Sequence, residues 1–393
     1  SERYIFTALN KLTSFIFKSD DNPVLNYLDD DGTSVEPDFY VPIIPMVLVN
    51  GGKGIGTGFS YEGLSYNPKQ IIKYLKNKLK NSQTKQPDVI EPYFEGFKGT
   101  ISDYKATIDK ETNKTYPKYL IKGKYKIISA DSIQITELPI GTWTTPYKQF
   151  LESLMDTKNK KKTLIIKNYR DSCSDTEIDF TVKFMPNVLA DLLSKQYDDD
   201  INMLEKTLKL YTTKSTSNMH LFDENQRLKK YDDVYEIIED YYPIRYKKYI
   251  ERKEYLIKEL NKILKILSNK ARFIKEQCDD VIDLRKKKKS VVIELLKSRG
   301  YDLIFDEGEE FNYLRKMPID SVMEENYLKL MKEREDKKLE LETLEKTTIE
   351  NMWYNELEEL EKEYLKYQND RRVRQSGGKK YKKKKSLKMK KKK

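Results

Sequence analysis

The sequence is poor in the residues that most often bind transition metals or form disulfides. It contains two cysteines, Cys173 and Cys278, and a single histidine, His220. These side chains are too few for a zinc cluster and imply no disulfide framework, so we expect a reducing compartment. The sequence also lacks an apolar run long enough to span a membrane and lacks a signal-peptide pattern. We therefore expect no membrane partner and no disulfide-stapled secreted domain.

Acidic residues are missing from the C-terminal tail. Residues 379–393 contain 11 lysines and no Asp or Glu, which accounts for the whole formal net charge of +11. The remainder of the chain sums to about zero, so it attracts a polyanion only through local basic patches. Residues 371–393 have almost nothing apolar to bury and are predicted to be disordered. This tail is a candidate nuclear localisation signal, a candidate arm for the DNA backbone, or both.

Hydrophobic periodicity divides the rest of the chain into helical and strand-rich regions. An apolar series in residues 5–17 predicts one helix, and NPKQIIKYLKNKLK (67–80) predicts an amphipathic helix that starts after Pro68. Alternating β-rich segments predict strands at 121–128, 132–138, 163–167 and 178–184. Trp143 lies in ELPIGTWT, and we expect it to pack in the core.

Two apolar series in the second half indicate long helices. Apolar residues of the first series recur at intervals of three or four between Leu256 and Ile274, and those of the second recur between Trp353 and Tyr367. Together they predict two antiparallel arms of one coiled coil. A more globular insert lies between them, with a helix at 291–297 that ends near Gly300. The basic run at 285–289 is interpreted as a solvated surface.

The most unusual stretch is EPDFYVPIIPMVLVNGGKGIGTGFS, residues 36–60. Its three prolines predict that the apolar residues 41–49 form a stiff buried connection without a regular helix. Glycines then alternate around Lys53 and Ile55. This pattern fits neither a Walker loop, which needs Ser or Thr after Gly-Lys, nor a G-x-G-x-x-G dinucleotide fingerprint. Two interpretations remain from the residues alone: a tight turn with Ile55 in the core, or an apolar side chain presented for insertion between base pairs.

Several long strings resemble one family. SERYIFTALNKLTSFIF at the N-terminus and PIIPMVLVNGGKGIGTG resemble the segment of eukaryotic-type (type IIA) DNA topoisomerase II that begins at its active-site tyrosine. The resemblance extends over about residues 1–365 and includes the strings FKGTI, ITELPIGTWTTPYK, LFDENQRLKKYDDVYEII, NKARFI, SRGYD and YLRKMPIDSV.

The resemblance implies an α+β fold: a mixed α/β tower domain and a long antiparallel coiled coil with a small helical C-gate domain. It implies six segments, which are the end of a winged-helix domain at 1–35, the tower at 36–230, a first arm at 231–280, a C-gate dimerisation insert at 281–323, a second arm at 324–370 and the basic tail at 371–393.

The resemblance also assigns the chemistry. Tyr4 is the expected nucleophile, which attacks a DNA phosphorus to give a 5′-phosphotyrosyl bond and a free 3′-hydroxyl. The pKa of a free phenol is about 10, so forming a phenolate at neutral pH costs roughly 4 kcal/mol. Arg3 is expected to reduce that cost and to hold the phosphate. Ile55 matches the intercalating isoleucine of the family, and DNA contacts are expected from its neighbours Lys53, Gly54, Gly56 and Thr57.

Other parts of such an enzyme are expected outside this chain. No TOPRIM metal-binding pattern surrounds Asp29–Asp31 or Asp198–Asp200, so we assign no metal ligand in the chain. Mg²⁺ is expected in an upstream TOPRIM domain and ATP in an upstream ATPase domain. The chain starts at Ser1 and not at Met, so we expect it to be a piece of a longer chain or a processed product. The expected partners are double-stranded DNA, that upstream half and a second copy bound through the C-gate, in a nucleus or in the factory or virion of a large DNA virus.

A second class of function fits the long helices and lysine tail without any chemistry. A non-catalytic coiled-coil scaffold that binds DNA would show both features. Only the breakage-reunion hypothesis requires Tyr4 to become bonded to DNA. Under that hypothesis the chain is part of an ATP-hydrolysing topoisomerase, and we expect this fragment to be inactive alone.

Overall fold

The computed structural model describes residues 4–80, 89–109, 113–155, 164–306 and 309–375. They form two compact units. The helical unit comprises the described residues within Ser1–Ile43 and Ile244–Glu359, and the sheet unit comprises those within Ile44–Pro243 and Leu360–Lys393. Arg3 and the lysine-rich tail lie outside the described residues. The fold is mixed α and β, as the resemblance implied.

Helices dominate the second half of the chain. In chain order, α1 to α11 are Thr13–Ile16, Met46–Asn50, Pro68–Leu79, Thr144–Met155, Val188–Ser194, Met203–Thr207, Val234–Cys278, Lys289–Ser298, Asn312–Arg315, Glu324–Lys346 and Ile349–Gln375. Short 3₁₀ turns cover Ser19–Val24 and Ile319–Val322.

Strands are short and pair antiparallel. In chain order, β1 to β17 are Tyr27–Asp30, Thr33–Pro37, Gly52–Gly56, Phe59–Gly63, Thr100–Ile108, Thr115–Lys122, Lys124–Ser129, Ser132–Glu137, Ile166–Asp171, Phe180–Phe184, Gln196–Asp198, Ile201–Asn202, Tyr211–Ser215, His220–Phe222, Leu228–Lys230, Phe305–Asp306 and Glu309–Glu310. The larger sheets have the strand orders β7-β8-β10-β9 and β13-β6-β5. Two-stranded hairpins are formed by β1-β2, β3-β4, β11-β12, β14-β15 and β16-β17.

The core of the sheet unit lies on one face of the four-stranded sheet. Alternate residues of β8 and β10 point to this face, as the two-residue period of a strand requires, and α4, α5 and α6 supply the covering residues. The buried residues of this core are Ile133, Ile135, Leu138, Tyr147, Leu151, Ile166, Phe180, Val182, Phe184, Leu189, Leu192, Leu204, Leu208 and Leu210.

The amphipathic helix predicted at 67–80 is confirmed as α3. The Asn67 side chain accepts a hydrogen bond from the Lys69 backbone N–H, and Pro68 occupies the first turn, where its missing donor is harmless. All four predicted apolar positions are buried: Ile71, Ile72, Leu75 and Leu79.

Several local predictions are wrong. The helix expected over 5–17 is limited to Thr13–Ile16. The strand expected over 121–128 is divided at Gly123 into β6 and β7, which belong to different sheets. Residues 46–50 form the short helix α2 directly after Pro45, although the apolar stretch from Val41 is otherwise largely buried, as expected. Trp143, expected in the core, is 76% exposed.

The helical unit contains the long pairing of helices. Lys253 of α7 donates to the backbone carbonyls of Glu345 and Thr347 at the end of α10. Lys270 and Ile274, further along α7, line one cavity together with Asn326 and Leu330 near the start of α10. The two helices therefore run antiparallel.

The second apolar series belongs to α11, which packs differently from α10. Tyr246, Tyr249 and Arg252 of α7 contact Glu350, Trp353 and Glu356 of α11, respectively. The sequence separation is constant, so over this stretch α11 runs in the same direction as α7. α10 itself contributes no fully buried residue.

The insert between α7 and α10 has a small core of its own. The predicted helix at 291–297 is confirmed as α8, and the chain turns after it at Gly300 with φ of +70°. The buried residues of this core are Phe273, which α7 contributes, and, from the insert, Ile282, Val292, Leu296, Tyr301, Phe311, Tyr313 and Leu314.

Candidate active site and DNA-contacting hairpin

Tyr4, the expected nucleophile, lies in the helical unit with its side chain 79% exposed. The apolar side chains that follow it, Ile5, Phe6 and Leu9, are also exposed. Its expected helper Arg3 is outside the described residues. The phenol is therefore accessible to a large substrate such as a duplex.

A buried ionic network fixes the chain that follows this segment. Asp21 is 4% exposed, and its carboxylate accepts two hydrogen bonds from Arg245 of α7, at 2.7 and 3.2 Å. Arg252, one heptad later on α7, donates to the same carboxylate at 3.3 Å and to Glu356 of α11 at 2.5 Å. This network attaches the turn Ser19–Val24 to both helices.

Aromatic packing completes the network. The centroid of the Tyr249 ring lies 4.0 Å from the Arg245 guanidinium and 4.7 Å from that of Arg252, and the ring stacks on Trp353. Burial raises the pKa of the Tyr249 phenol well above its ordinary value, so the hydroxyl stays protonated and donates to Glu356 at 2.6 Å. Arg245 also donates to the Val41 carbonyl at 2.6 Å.

This network was not predicted from the sequence. Its one signal there is the spacing of Arg245 and Arg252, which places both side chains on the same face of α7 as Tyr249. Nothing in the sequence identifies the distant Asp21 as their acceptor.

The glycine-rich stretch forms a hairpin in the sheet unit. We call residues 52–63 the wedge hairpin. Its strands β3 and β4 are joined by Thr57 and Gly58, and Ile55 pairs in register with Ser60. Ile55 is 86% exposed, whereas the alternative interpretation placed it in the core. Lys53, Gly54 and Thr57 are exposed beside it, so the structure brings together all the residues predicted for DNA contact.

Lys53 is an exposed cation of the wedge hairpin, and its charged neighbours are known. Its cross-strand partner is Glu62, which forms an ion pair with Lys214. The hydrogen bond from Lys214 lowers the pKa of the Glu62 carboxyl, which therefore stays ionised at neutral pH. Lys53 and Lys214 thus flank one carboxylate, so this group of three side chains has a net charge of +1, which suits a phosphate backbone.

The fold requires glycine at some positions in and next to the hairpin and not at others. Gly51 has φ of +60°, and a Cβ there would lie 2.9 Å from backbone atoms of Gly63, Leu64 and Ser65. A Cβ at Gly56 would lie 2.5 Å from the Phe59 ring. At Gly54, by contrast, a Cβ would meet no atom of the described residues within 4 Å. The fold therefore does not require glycine at position 54.

We expect Gly56→Ala and Gly54→Ala to differ in stability. Gly56→Ala should lower the free energy of unfolding by about 1–3 kcal/mol, because the rigid Phe59 ring must move. Gly54→Ala should change it by less than about 0.5 kcal/mol, because its site is open. Thermal unfolding followed by circular dichroism measures both, and equal losses would show that the Phe59 contact is unimportant.

Among the residues that the structure describes, no group of three or more His, Cys, Asp or Glu side chains is placed to hold a metal ion. Asp29 and Asp30 lie in β1, and Asp198 ends β11. The chain as described does not fit a magnesium site. Within the same residues, no helix is both long and apolar enough to cross a bilayer.

Comparison with known proteins gives these features a family. The profile of the DNA gyrase/topoisomerase IV family, which describes the A-type subunits of these enzymes, matches residues 1–358. DNA topoisomerase 2 of Pisum sativum is 34% identical over 399 residues, which cover 92% of this chain and 26% of the relative. DNA topoisomerase 2 of Plasmodium falciparum (isolate K1 / Thailand) is 35% identical over 399 residues, which cover 94% of this chain and 27% of the relative.

A solved structure supports the same assignment. The crystal structure of the Plasmodium falciparum topoisomerase II DNA-binding, cleavage and re-ligation domain matches with a TM-score of 0.80 and 35% identity. The match covers 95% of this chain and 51% of that one. The fold is therefore of the topoisomerase II cleavage-domain class.

More particularly, the chain belongs to the DNA gyrase/topoisomerase IV family of A-type subunits. The resemblance drawn from the sequence is confirmed. The chain spans about a quarter of the length of the full topoisomerase relatives that it matches, 26% for the pea protein.

Proposed function

We propose that this chain is the strand-breaking segment of a type IIA DNA topoisomerase, and that the wedge hairpin bends the DNA at the cleavage site. The observation that carries the proposal is Ile55, an aliphatic side chain that is 86% exposed on a glycine-rich hairpin. An exposed aliphatic side chain gains no free energy from burial while it stays in water, but it can enter a base step that has been partly unstacked.

The chemistry proposed for Tyr4 is a reversible transfer of a phosphodiester. The phenol oxygen attacks a DNA phosphorus, an oxygen–phosphorus bond forms, and the bond to the 3′-oxygen breaks. The 3′-oxygen leaves with a proton, and the 5′ end stays bonded to Tyr4. Because one phosphodiester replaces another, the reverse attack reseals the strand without external energy. Arg3 supplies forked donors that match a phosphate.

Magnesium and ATP belong, in this proposal, to parts of the enzyme outside this chain. The described residues do not fit a metal site. By the resemblance to the family, an upstream TOPRIM domain is proposed to hold Mg²⁺, which would stabilise charge on the departing oxygen. An upstream ATPase domain is proposed to bind ATP for strand passage.

The neighbours of Ile55 are proposed to contact the DNA backbone. Lys53 provides a cation, Thr57 a hydroxyl, and Gly54 and Gly56 allow close approach of the duplex to the peptide backbone. The open side of Gly54 supports this role, because the fold itself has room for a side chain there. These contacts offset the few kcal/mol needed to unstack a base step.

The proposed assembly is a homodimer with one Tyr4 for each DNA strand. The insert of residues 281–323, which has its own apolar core, is proposed as the C-gate that joins two copies. We further propose that residues 1–35 end a winged-helix domain, that 36–230 form the tower, and that 231–280 and 324–370 form the arms. The proposed location is a nucleus or a viral factory.

We expect Ile55→Ala to reduce DNA bending more than DNA binding. Bending of a duplex with fluorophores at both ends, measured by energy transfer in the complete enzyme, should fall by at least about half, since the wedge is gone. The dissociation constant should rise less than about fivefold, because backbone contacts supply most of the affinity.

The matched control is Ile128→Ala, which removes another exposed isoleucine, 56% exposed, from the same unit. It should leave both bending and binding unchanged. Normal bending by the Ile55→Ala enzyme would show that Ile55 is not a wedge.

A further inference from the structure

Strand β4 of the wedge hairpin is hydrogen-bonded to the segment that leads into β14. The backbone N–H of Glu62 donates to the Asn218 carbonyl at 2.9 Å, and Tyr61 forms an antiparallel bridge with Met219. Nδ1 of His220 lies 3.1 Å from the Ser60 carbonyl oxygen. The chain's single histidine therefore contacts the strand opposite Ile55.

The hydrogen-bond pattern defines which nitrogen of His220 carries hydrogen. Nδ1 also lies 3.2 Å from Oδ1 of Asn218, whose Nδ2 donates to the Ser60 hydroxyl oxygen. Both neighbours of Nδ1 are then acceptors, so Nδ1 is the donor. Ser60 is thus bound at two points, at its carbonyl by His220 and at its hydroxyl by Asn218.

These contacts are mechanically important because they are made to the residue that pairs with Ile55. Ser60 is the cross-strand partner of Ile55. An isolated two-stranded hairpin is marginally stable in water, and a side chain that enters a base stack must work against the stacking of the bases. An anchor on the strand opposite Ile55 resists displacement of the hairpin away from the DNA.

We propose that His220 is a positioning residue that, together with Asn218, holds the wedge hairpin rigid while Ile55 enters the base step. The inference rests on the wedge function proposed above for Ile55. The ring of His220 also lies 6.5 Å from that of Phe59, which packs edge-on against Phe222. A substitution must therefore separate the hydrogen bond from the packing.

The test uses two replacements of His220 in the complete enzyme. His220→Asn keeps an N–H donor close to the position of Nδ1, whereas His220→Leu keeps apolar volume and loses the donor. The readouts are energy-transfer bending of a duplex and the fluorescence of 2-aminopurine placed at the base step that opens. Circular dichroism checks that each variant is folded.

We expect His220→Leu to lower the ratio of bent to unbent DNA about fivefold, which is the effect of one net hydrogen bond. His220→Asn should stay within about twofold of the unchanged protein. Asn218→Ala, which removes the second contact to Ser60, should resemble His220→Leu and provides an independent variant if the leucine protein is unfolded.

Two results would overturn the inference while leaving the wedge intact. One is normal bending by both His220→Leu and Asn218→Ala when Ile55→Ala has lost it. The other is an equal defect in His220→Asn and His220→Leu, since the donor would then be irrelevant. Normal bending by Ile55→Ala would instead refute the wedge function itself.

Discussion

Replacing Tyr4 with phenylalanine should reduce covalent protein–DNA adducts to background, a loss of about 10⁴-fold or more. The substitution removes one oxygen atom, which is the atom proposed to bond to phosphorus, and no other chain atom can substitute for it in that position. The measurement is the amount of DNA that remains attached to protein after denaturation by detergent, with the complete enzyme, magnesium and DNA present.

Tyr40→Phe is the matched control for this substitution. Tyr40 is another exposed tyrosine of the helical unit, 58% exposed, and its loss of a hydroxyl should leave adduct formation unchanged. DNA binding by the Tyr4→Phe enzyme should also persist, because backbone contacts do not use the phenol. Adducts that survive Tyr4→Phe would mean that another residue is the nucleophile.

The same measurement separates the two classes of function considered from the sequence. A non-catalytic coiled-coil scaffold would bind DNA through its basic patches and tail but would form no adduct that survives denaturation. Membership in the topoisomerase family supports the breakage-reunion function, and the adduct tests it directly for this chain.

Local periodicity predicted those elements whose apolar face is covered nearby. Helix α3 combined an N-cap, a proline in the first turn and four apolar residues on one face, and all four are buried. The series in residues 5–17 had the same kind of spacing, yet Ile5, Phe6 and Leu9 are exposed. A short helix gains most of its stability from packing, so without a covering surface among the described residues the pattern does not form one.

Packing direction could not be derived from spacing. A repeat of three and four residues shows that a helix has one apolar face, but it does not show what covers that face or in which direction the partner runs. Trp353 is fully buried against Tyr249, and its indole N–H donates to the Ile43 carbonyl. The first part of α11 therefore belongs to the packed body of the helical unit, whereas the antiparallel partner of α7 is α10.

The exposed part of the candidate site could be predicted from the sequence because the glycines next to Ile55 have no side chains that could cover it. Its exposure and the clustering of Lys53, Gly54 and Thr57 follow from a short hairpin with few side chains. The anchors of that hairpin were not predicted, because they are distant in the chain: His220 and Ser60 are 160 positions apart. Trp143 illustrates the opposite error, since it lies just before α4 and remains at the surface while the residue four positions later enters the core.

Asp21→Ala should be among the most destabilising single substitutions in the helical unit. It leaves the fully buried Arg245 guanidinium without its carboxylate and removes one of the two acidic partners of Arg252. Removing one partner of a buried ion pair costs about 3–5 kcal/mol, because the remaining buried charge loses the carboxylate that compensates its desolvation. Thermal unfolding followed by circular dichroism should show a midpoint lowered by about 10 °C.

The adjacent Asp20 provides the control for Asp21, because it has the same chemistry and is exposed. Asp20→Ala should change the free energy of unfolding by less than about 0.5 kcal/mol. The double variant Asp21→Ala/Arg245→Met should be at least about 1 kcal/mol more stable than Asp21→Ala alone, because it also removes the buried charge that has lost the Asp21 carboxylate, while Arg252 keeps Glu356. A double variant as unstable as the sum of its two single changes would show that Asp21 and Arg245 contribute independently. The turn at residues 19–24, which follows the segment that carries Tyr4, would then be held by packing and not by this ion pair.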